Sequence, residues 1–232
     1  MESGYALAGY RVATRADRPD WQDVRLPGSG LVSLSDCVVD LVPVDPSGWD
    51  GWFASPQEAE VARDRAGKPG LHVLGVGFAT ADVPGLLADI ADGGWDISAG
   101  SLPERLARHE RFPCPGGRRL GFELVGFDSG RWHTWTCLSG LVADVHQATG
   151  VLPGRWGLIQ DEQDARRAAQ WLTDSGLGDP KVFLWAAALL TDVAGAILQS
   201  EAPPGPSLSG NRLRDATPSA GRGARRWRRF PS

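Results

Sequence analysis

The pattern of hydrophobic and polar residues between Gly121 and Cys137 predicts a β-hairpin. From Gly121 to Phe127 the residues alternate with a period of two, which is typical of a strand with at least one buried face. Asp128-Ser129-Gly130 has turn-forming chemistry, and Arg131 to Cys137 is rich in Trp and Thr, which favour strands. We therefore predict two strands joined by a three-residue connection.

Helix signals follow this hairpin. Ser139 can cap a helix whose apolar residues Leu141, Val142, Val145 and Ala148 have helical spacing, and Gly150 can end it. A short strand is predicted from Arg155 to Gln160. Asp161 can then cap a further helix that Gly176 ends, with acids at its start and Arg166 and Arg167 further along, as the helix dipole favours.

The first half of the chain also mixes strands and helices. Ser55-Pro56-Gln57-Glu58 combines a Ser cap, Pro in the first turn and a capping-box Glu, so it predicts a helix start. The elements predicted here are a strand over 4–14, an interrupted strand over 31–42, a helix from 56 to about 66 ended by Gly67, a strand over 71–79, a helix over about 82–91 and a short helix near 103–108.

The segment Val182–Leu198 is almost uniformly apolar over 17 residues and includes Asp192. A transmembrane helix needs about 20 apolar residues, and an Asp near its middle would be costly in lipid. We therefore expect a buried C-terminal core helix and no transmembrane segment.

These elements predict an α+β fold, with a mainly antiparallel sheet and packed helices, in a single domain over residues 1–199. From residue 200 to 232 Pro, Gly, Ser and Arg dominate, so we predict a disordered basic tail. Seven arginines against two acids give this tail a charge of +5, so the body carries −9 within the net −4 of the chain. An acidic body argues against nucleic acid as its own partner.

The tail itself interleaves arginine with aromatic residues between Arg222 and Phe230. Such a segment can bind nucleic acid or an anionic membrane. A solvated tail, or one resting on the acidic body, is the favoured interpretation, because composition alone sets no specificity.

Three cysteines, at positions 37, 114 and 137, do not make a disulfide framework, and no signal peptide is visible at the N-terminus. Reduced thiols in a cytoplasmic protein are the simpler interpretation.

Cys137 and His133 are the candidate catalytic residues. A thiol at a helix N-terminus has a lowered pKa, His133 could act as its base, and Asp128 or Glu123 could orient the imidazole. The alternative is a buried, inert thiol. His133, Cys137 and His146 could also ligate zinc, but their spacing matches no standard zinc pattern, so we predict neither a metal nor a cofactor.

Tryptophan is abundant, and aromatic residues are enriched at interface hot spots. The candidate binding residues are Arg131, Trp132, Trp135, His146 and Trp156. Arg131 and Trp135 flank His133 on the predicted strand and are the pair expected to be exposed. The alternative, for about half of the tryptophans, is burial in the core.

The segments LGFELVGFDSGRWHTWTCLSGL and PGRWGLIQDEQDARRAAQWL resemble a family of uncharacterised bacterial proteins. The shared pattern is GFE, then aromatic-His-Ser-Trp, then a GLI turn before an Ala/Arg helix. Thr134 stands where the family has a serine, and Ser139 where it has an asparagine. The resemblance implies a bacterial cytoplasmic origin and transfers no catalytic residue.

The sequence therefore predicts a non-enzymatic protein-binding module of a bacterial cytoplasmic protein, of the immunity-protein type, whose acidity suits a basic protein partner. The alternative is a cysteine-dependent hydrolase or transferase that uses Cys137 and His133.

Overall fold

One antiparallel sheet runs through the computed structural model, and helices cover both of its faces. The model describes residues 4–16, 30–35, 37–42, 52–92, 102–108, 111–112, 117–128, 131–138, 140–177 and 185–193. Its elements are β1 (Tyr5–Thr14), α1 (Pro56–Ala66), β2 (Leu71–Ala79), α2 (Val83–Asp92), α3 (Leu102–Ala107), β3 (Arg111–Phe112), β4 (Arg118–Asp128), β5 (Arg131–Thr134), α4 (Leu141–Thr149), α5 (Glu162–Ser175) and β6 (Trp185–Asp192).

The strand order is β3-β1-β2-β6-β4-β5, and every neighbouring pair is antiparallel. α2 and α3 pack on one face, together with the irregular 31–41 segment. α4 and α5 pack on the opposite face. The predicted α+β class with a mainly antiparallel sheet is therefore confirmed. The predicted tail over 200–232 lies outside the described residues, and the division at residue 199 stays a prediction.

The apolar segment Val182–Leu198 was predicted to be a helix, and that prediction was wrong. Residues 185–192 form β6, a central strand between β2 and β4 in which every residue is buried. Ala186, Ala188 and Leu190 face the core under α2, and the alternate residues face the core under α4 and α5. A strand covered on both faces is apolar at every position, so its periodicity does not distinguish it from a buried helix.

The predicted helix ends were mostly right, because capping depends on local hydrogen bonds. The Ser55 hydroxyl accepts the Glu58 N–H at 3.2 Å, and Asp161 caps α5 in the same way through Asp164. Gly67 and Gly176 end their helices in the left-handed conformation. For α4 the N-cap is Gly140, in a left-handed conformation that makes no side-chain cap bond, and Ser139, the predicted cap, lies outside the described residues.

The β4–β5 hairpin is confirmed, with two corrections. Asp128 pairs with Arg131, so two residues connect the strands instead of three. β5 ends at Thr134 and does not reach Cys137, because the chain turns there and the Cys137 N–H donates to the Thr134 carbonyl at 3.0 Å.

Two other predicted strands, over 155–160 and 31–42, are irregular. Trp156 adopts a φ of 57°, which breaks an extended chain and places a 3-10 turn at Arg155–Gly157. In the 31–42 segment the hydroxyls of Ser33 and Ser35 accept N–H groups two residues ahead. These local bonds compete with sheet pairing.

Candidate functional site

A buried carboxyl group on β4 organises the region where the sequence placed the catalytic residues. Glu123 is 0% exposed. Its Oε1 accepts from the Ser33 hydroxyl at 2.6 Å, and its Oε2 accepts from the Leu34 N–H at 2.7 Å. Hydroxyls from Thr134 and Thr136 also hydrogen-bond to it. We call Ser33, Ser35, Glu123, Thr134, Thr136 and Cys137 the Glu123 cluster.

Burial raises the pKa of Glu123 to about 7, because the ionised form loses its hydration, although the surrounding donors partly offset this. Near neutral pH the side chain therefore exchanges between a neutral and an ionised state. Its contacts join β4 to a segment 90 residues away in sequence. Glu123 consequently fixes the position of the 33–35 segment against the sheet, and its titration couples that contact to pH.

Cys137 lies at the edge of this cluster, in surroundings that disfavour a thiolate. Its thiol donates to the Thr134 carbonyl at 3.0 Å and accepts the Thr134 N–H at 3.2 Å. Burial is the largest influence on this group and raises the pKa of the Cys137 thiol. The sequence argument expected a lowered pKa from a helix N-terminus, but α4 begins only at Leu141, behind a Gly140 cap.

In the described part of the chain, His133 and Cys137 are not hydrogen-bonded to each other. His133 is half-buried, and it is absent from the described hydrogen-bond partners of Cys137, which are Thr134 and Ser35. Because β5 ends at Thr134, the alternation that would put His133 and Cys137 on one face does not continue. The backbone of Asp128 pairs with Arg131, two residues before His133, and the Asp128 side chain lies outside the described part of the structure.

The three predicted binding residues with described side chains, Trp135, Trp156 and His146, do not share a surface. Trp135, expected to be exposed, is 0% exposed and packs beneath α4 and α5 because the turn after Thr134 directs it inward. Trp156 is 3% exposed and belongs to the core on the opposite face of the sheet. His146 is exposed on α4. For Arg131 and Trp132 the structure defines the backbone in β5, and their side chains lie outside the described part.

Across the described ranges, no group of three or more His, Cys, Asp or Glu side chains is arranged to hold a metal ion. His133, Cys137 and His146 are therefore not assembled as ligands there.

A surface cleft of about 300 Å³ lies beyond the end of β2, where β6 continues past its last residue paired with that strand. β6 pairs with β4 as far as Trp185, but with β2 only as far as Ala188. The start of α2 and the middle of α5 border the opening. Its lining consists of Ala81, Asp82, Gly85, Arg166, Ala169, Gln170, Trp185, Ala186 and Ala187. We call this the α2–α5 cleft.

Arg166 is held in the cleft by two carboxylates. Its Nη1 lies 3.1 Å from Asp82 Oδ1, and its Nη2 lies 3.1 Å from Glu162 Oε1. The second Glu162 oxygen accepts the Tyr5 hydroxyl at 2.6 Å. Both Glu162 oxygens are thus occupied, whereas Asp82 Oδ2 has no hydrogen-bond or ion-pair partner among the described residues.

Asp82 is the member of this group that keeps an accessible carboxylate oxygen. Burial raises the pKa of its carboxyl, Arg166 lowers it and Glu162 raises it. Its side chain remains 35% exposed, so a solute can reach it. Two carboxylates facing one guanidinium leave a local excess of one negative charge, next to the apolar wall of Trp185 and Ala169.

No sequence pattern predicted this cleft. In the sequence, Asp82 is only part of a helix start, and Arg166 is only a favourably placed charge within α5. The Glu162–Arg166 spacing of four residues was a visible local signal. The contact between Arg166 and Asp82 joins residues 84 apart, so nothing local indicates it.

The chain matches no protein-family model, no curated protein and no solved structure. The resemblance to a bacterial family therefore stays a prediction. None of the described helices combines the length and the apolar character needed to cross a membrane.

Proposed function

We propose that this chain is a non-enzymatic protein-binding module of the immunity-protein type, and that its partner is a basic protein. In this proposal the α2–α5 cleft receives an arginine or lysine side chain of that partner. The observation that carries the proposal is Asp82, a partly buried carboxylate that lines the cleft and whose Oδ2 has no hydrogen-bond or ion-pair partner among the described residues.

A cationic side chain fits this environment better than a neutral or anionic one. The carboxyl of Asp82 has lost part of its hydration, and a partner cation would replace that hydration with a charge-assisted hydrogen bond. The aliphatic part of an arginine or lysine could then lie against Trp185 and Ala169. An anion would have to compete with Asp82 and Glu162 for Arg166.

The charge of the whole body supports the same type of partner. Residues 1–199 carry a formal charge of −9, which speeds encounter with a basic protein and makes association sensitive to salt. A bacterial cytoplasmic setting is part of the proposal and rests on the sequence resemblance and the thiol content.

The geometry around Cys137 counts against the enzymatic alternative. The thiol pKa is raised, and the described hydrogen bonds of Cys137 include no histidine. A cysteine nucleophile requires a lowered thiol pKa and a histidine that acts as its base.

Binding to an array of short peptides tests the proposal. Each peptide carries one central arginine, and its matched control carries citrulline, which keeps the shape of the side chain and removes the charge. We expect the arginine series to bind more tightly. Asp82→Asn should weaken that binding about fivefold, since a partly exposed charged contact contributes roughly 1 kcal/mol.

Asp144→Asn is the matched control, because it removes one carboxylate from the exposed side of α4, outside the cleft lining. It should leave the preference for arginine intact. Equal binding of arginine and citrulline peptides, or equal loss in both variants, would contradict the proposal.

A further inference from the structure

Two cysteines from distant parts of the chain lie on either side of Ser35. The backbone N–H of Cys37 donates to the Ser35 hydroxyl at 3.2 Å. The Ser35 side chain also hydrogen-bonds to the thiol of Cys137. Both cysteines carry thiols in this structure. A single hydroxyl group therefore links the backbone of Cys37 to the sulfur of Cys137.

This arrangement brings the two thiols within reach of each other. Two consecutive hydrogen bonds place the Cys137 sulfur within roughly 6–7 Å of the Cys37 backbone nitrogen. The two turns also touch beside them, since the Ser33 hydroxyl lies 3.4 Å from the hydroxyl of Thr134, whose backbone is hydrogen-bonded to the Cys137 thiol. Cys37 also contributes through its charge to the raised pKa of the Cys137 thiol, although desolvation by burial is the larger cause. Cys37 lies in a turn of the irregular 31–42 segment, where a small backbone adjustment disturbs no strand.

We propose that Cys37 and Cys137 form a reversible disulfide bond, which fastens the 31–42 segment to the turn after β5. The oxidant is a small-molecule disulfide such as oxidised glutathione. Cys37 attacks one of its sulfurs, so a mixed disulfide forms and one thiolate leaves. Cys137 then attacks the Cys37 sulfur, which forms the protein disulfide and releases the second thiolate. The two protons lost by the protein are taken up by the two leaving thiolates.

The exposure of the two thiols sets this order. Cys37 is exposed and meets the oxidant first, whereas Cys137 is half-buried. Cys137 therefore acts as the resolving thiol, and its raised pKa makes the second step slow at neutral pH and faster in mild alkali.

The bond would lie beside the contact between Glu123 and Ser33. It would link residues 100 positions apart, and closing so long a loop restricts the unfolded chain. We expect the oxidised protein to unfold at a temperature about 10 °C higher than the reduced protein.

Equilibration of the full chain in mixtures of reduced and oxidised glutathione tests the proposal. Intact mass should show the loss of two hydrogens, and proteolytic mapping should recover a peptide that joins Cys37 to Cys137. Cys114→Ser should form the same bond. Cys37→Ser and Cys137→Ser should each retain at most a glutathione adduct on the remaining thiol of the pair.

Three results would overturn the proposal. One is a stable glutathione adduct on Cys37 while Cys137 stays a thiol in the folded wild-type chain. Another is an intramolecular disulfide that includes Cys114. The last is a disulfide formed between two chains. Because mapping of the wild-type chain decides among these results, the test does not depend on the serine variants folding.

Discussion

The titration of the buried Glu123 should make the free energy of unfolding depend on pH. Its pKa is about 7 in the folded protein and 4.5 as the ordinary value, and each pH unit between them is worth about 1.4 kcal/mol. Ionising Glu123 inside the fold therefore costs roughly 3 kcal/mol.

The sign of the effect follows from proton binding. Between pH 4.5 and 7 the folded protein holds the Glu123 proton more tightly than the unfolded chain does. Its contribution to the free energy of unfolding is therefore complete below pH 4.5 and is lost as the pH rises through 7. A carboxylate held by a salt bridge shows the opposite pH dependence, because its pKa is lowered and its contribution to stability is lost as the pH falls.

Glu123→Gln isolates this contribution. The glutamine amide is neutral at every pH, its oxygen can accept the Leu34 N–H, and its NH₂ can donate to Ser33 Oγ. We expect the variant and the wild type to have similar stability at pH 4.5. By pH 8 the variant should be more stable by about 2–3 kcal/mol.

Chemical denaturation at pH 4.5, 6, 7 and 8, followed by circular dichroism, measures the difference. Asp144→Asn on α4 is the control, and its curve should run parallel to the wild type. A stability difference between Glu123→Gln and wild type that does not change with pH would refute the reasoning. A difference that favours the wild type more at high pH would show that hydrogen bonding to the carboxylate outweighs burial.

Three further predictions concern other parts of the fold. Cys137 should alkylate much more slowly than Cys37 in the folded protein, because it is half-buried with a raised pKa, and equal rates by mass spectrometry would contradict this. Gly117→Ala should destabilise by more than about 2 kcal/mol, since φ is 83° and a Cβ would meet Asp192 backbone atoms, and an unchanged thermal midpoint would contradict this. Asp161→Ala removes the α5 cap and should cost about 1 kcal/mol in denaturant unfolding, whereas no loss would show that this cap bond contributes nothing.

The features that the sequence predicted correctly are those fixed by short-range interactions. Ser55 and Asp161 cap their helices by bonding the N–H three residues ahead, so four consecutive letters contain the whole interaction. The bounds of β2, residues 71 and 79, also match the prediction.

The features that it missed depend on residues far apart in the chain. Residues 185–192 form a strand that helices cover on both faces. An apolar segment alone does not show whether it is such a strand or a buried helix. Glu123 was placed on a strand, but its burial depends on Ser33 and Leu34, about 90 positions earlier.

The candidate site was the least predictable part for the same reason. Trp135 was assigned to an exposed strand face by simple alternation, and the turn at Thr134 cancelled that alternation. The α2–α5 cleft lies where β6 extends beyond the end of β2, and the relative lengths of two paired strands have no signature in a single segment.

The most direct test of the proposed function is to locate where an arginine peptide binds. Amide chemical shifts of the ¹⁵N-labelled full chain would be followed during titration with the tightest arginine peptide and with its citrulline partner. The proposal predicts that shifts move around Asp82, Gln170 and Ala187 with the arginine peptide, and that Asp82→Asn suppresses them. Shift changes confined to other surfaces, or the same changes with citrulline, would contradict it.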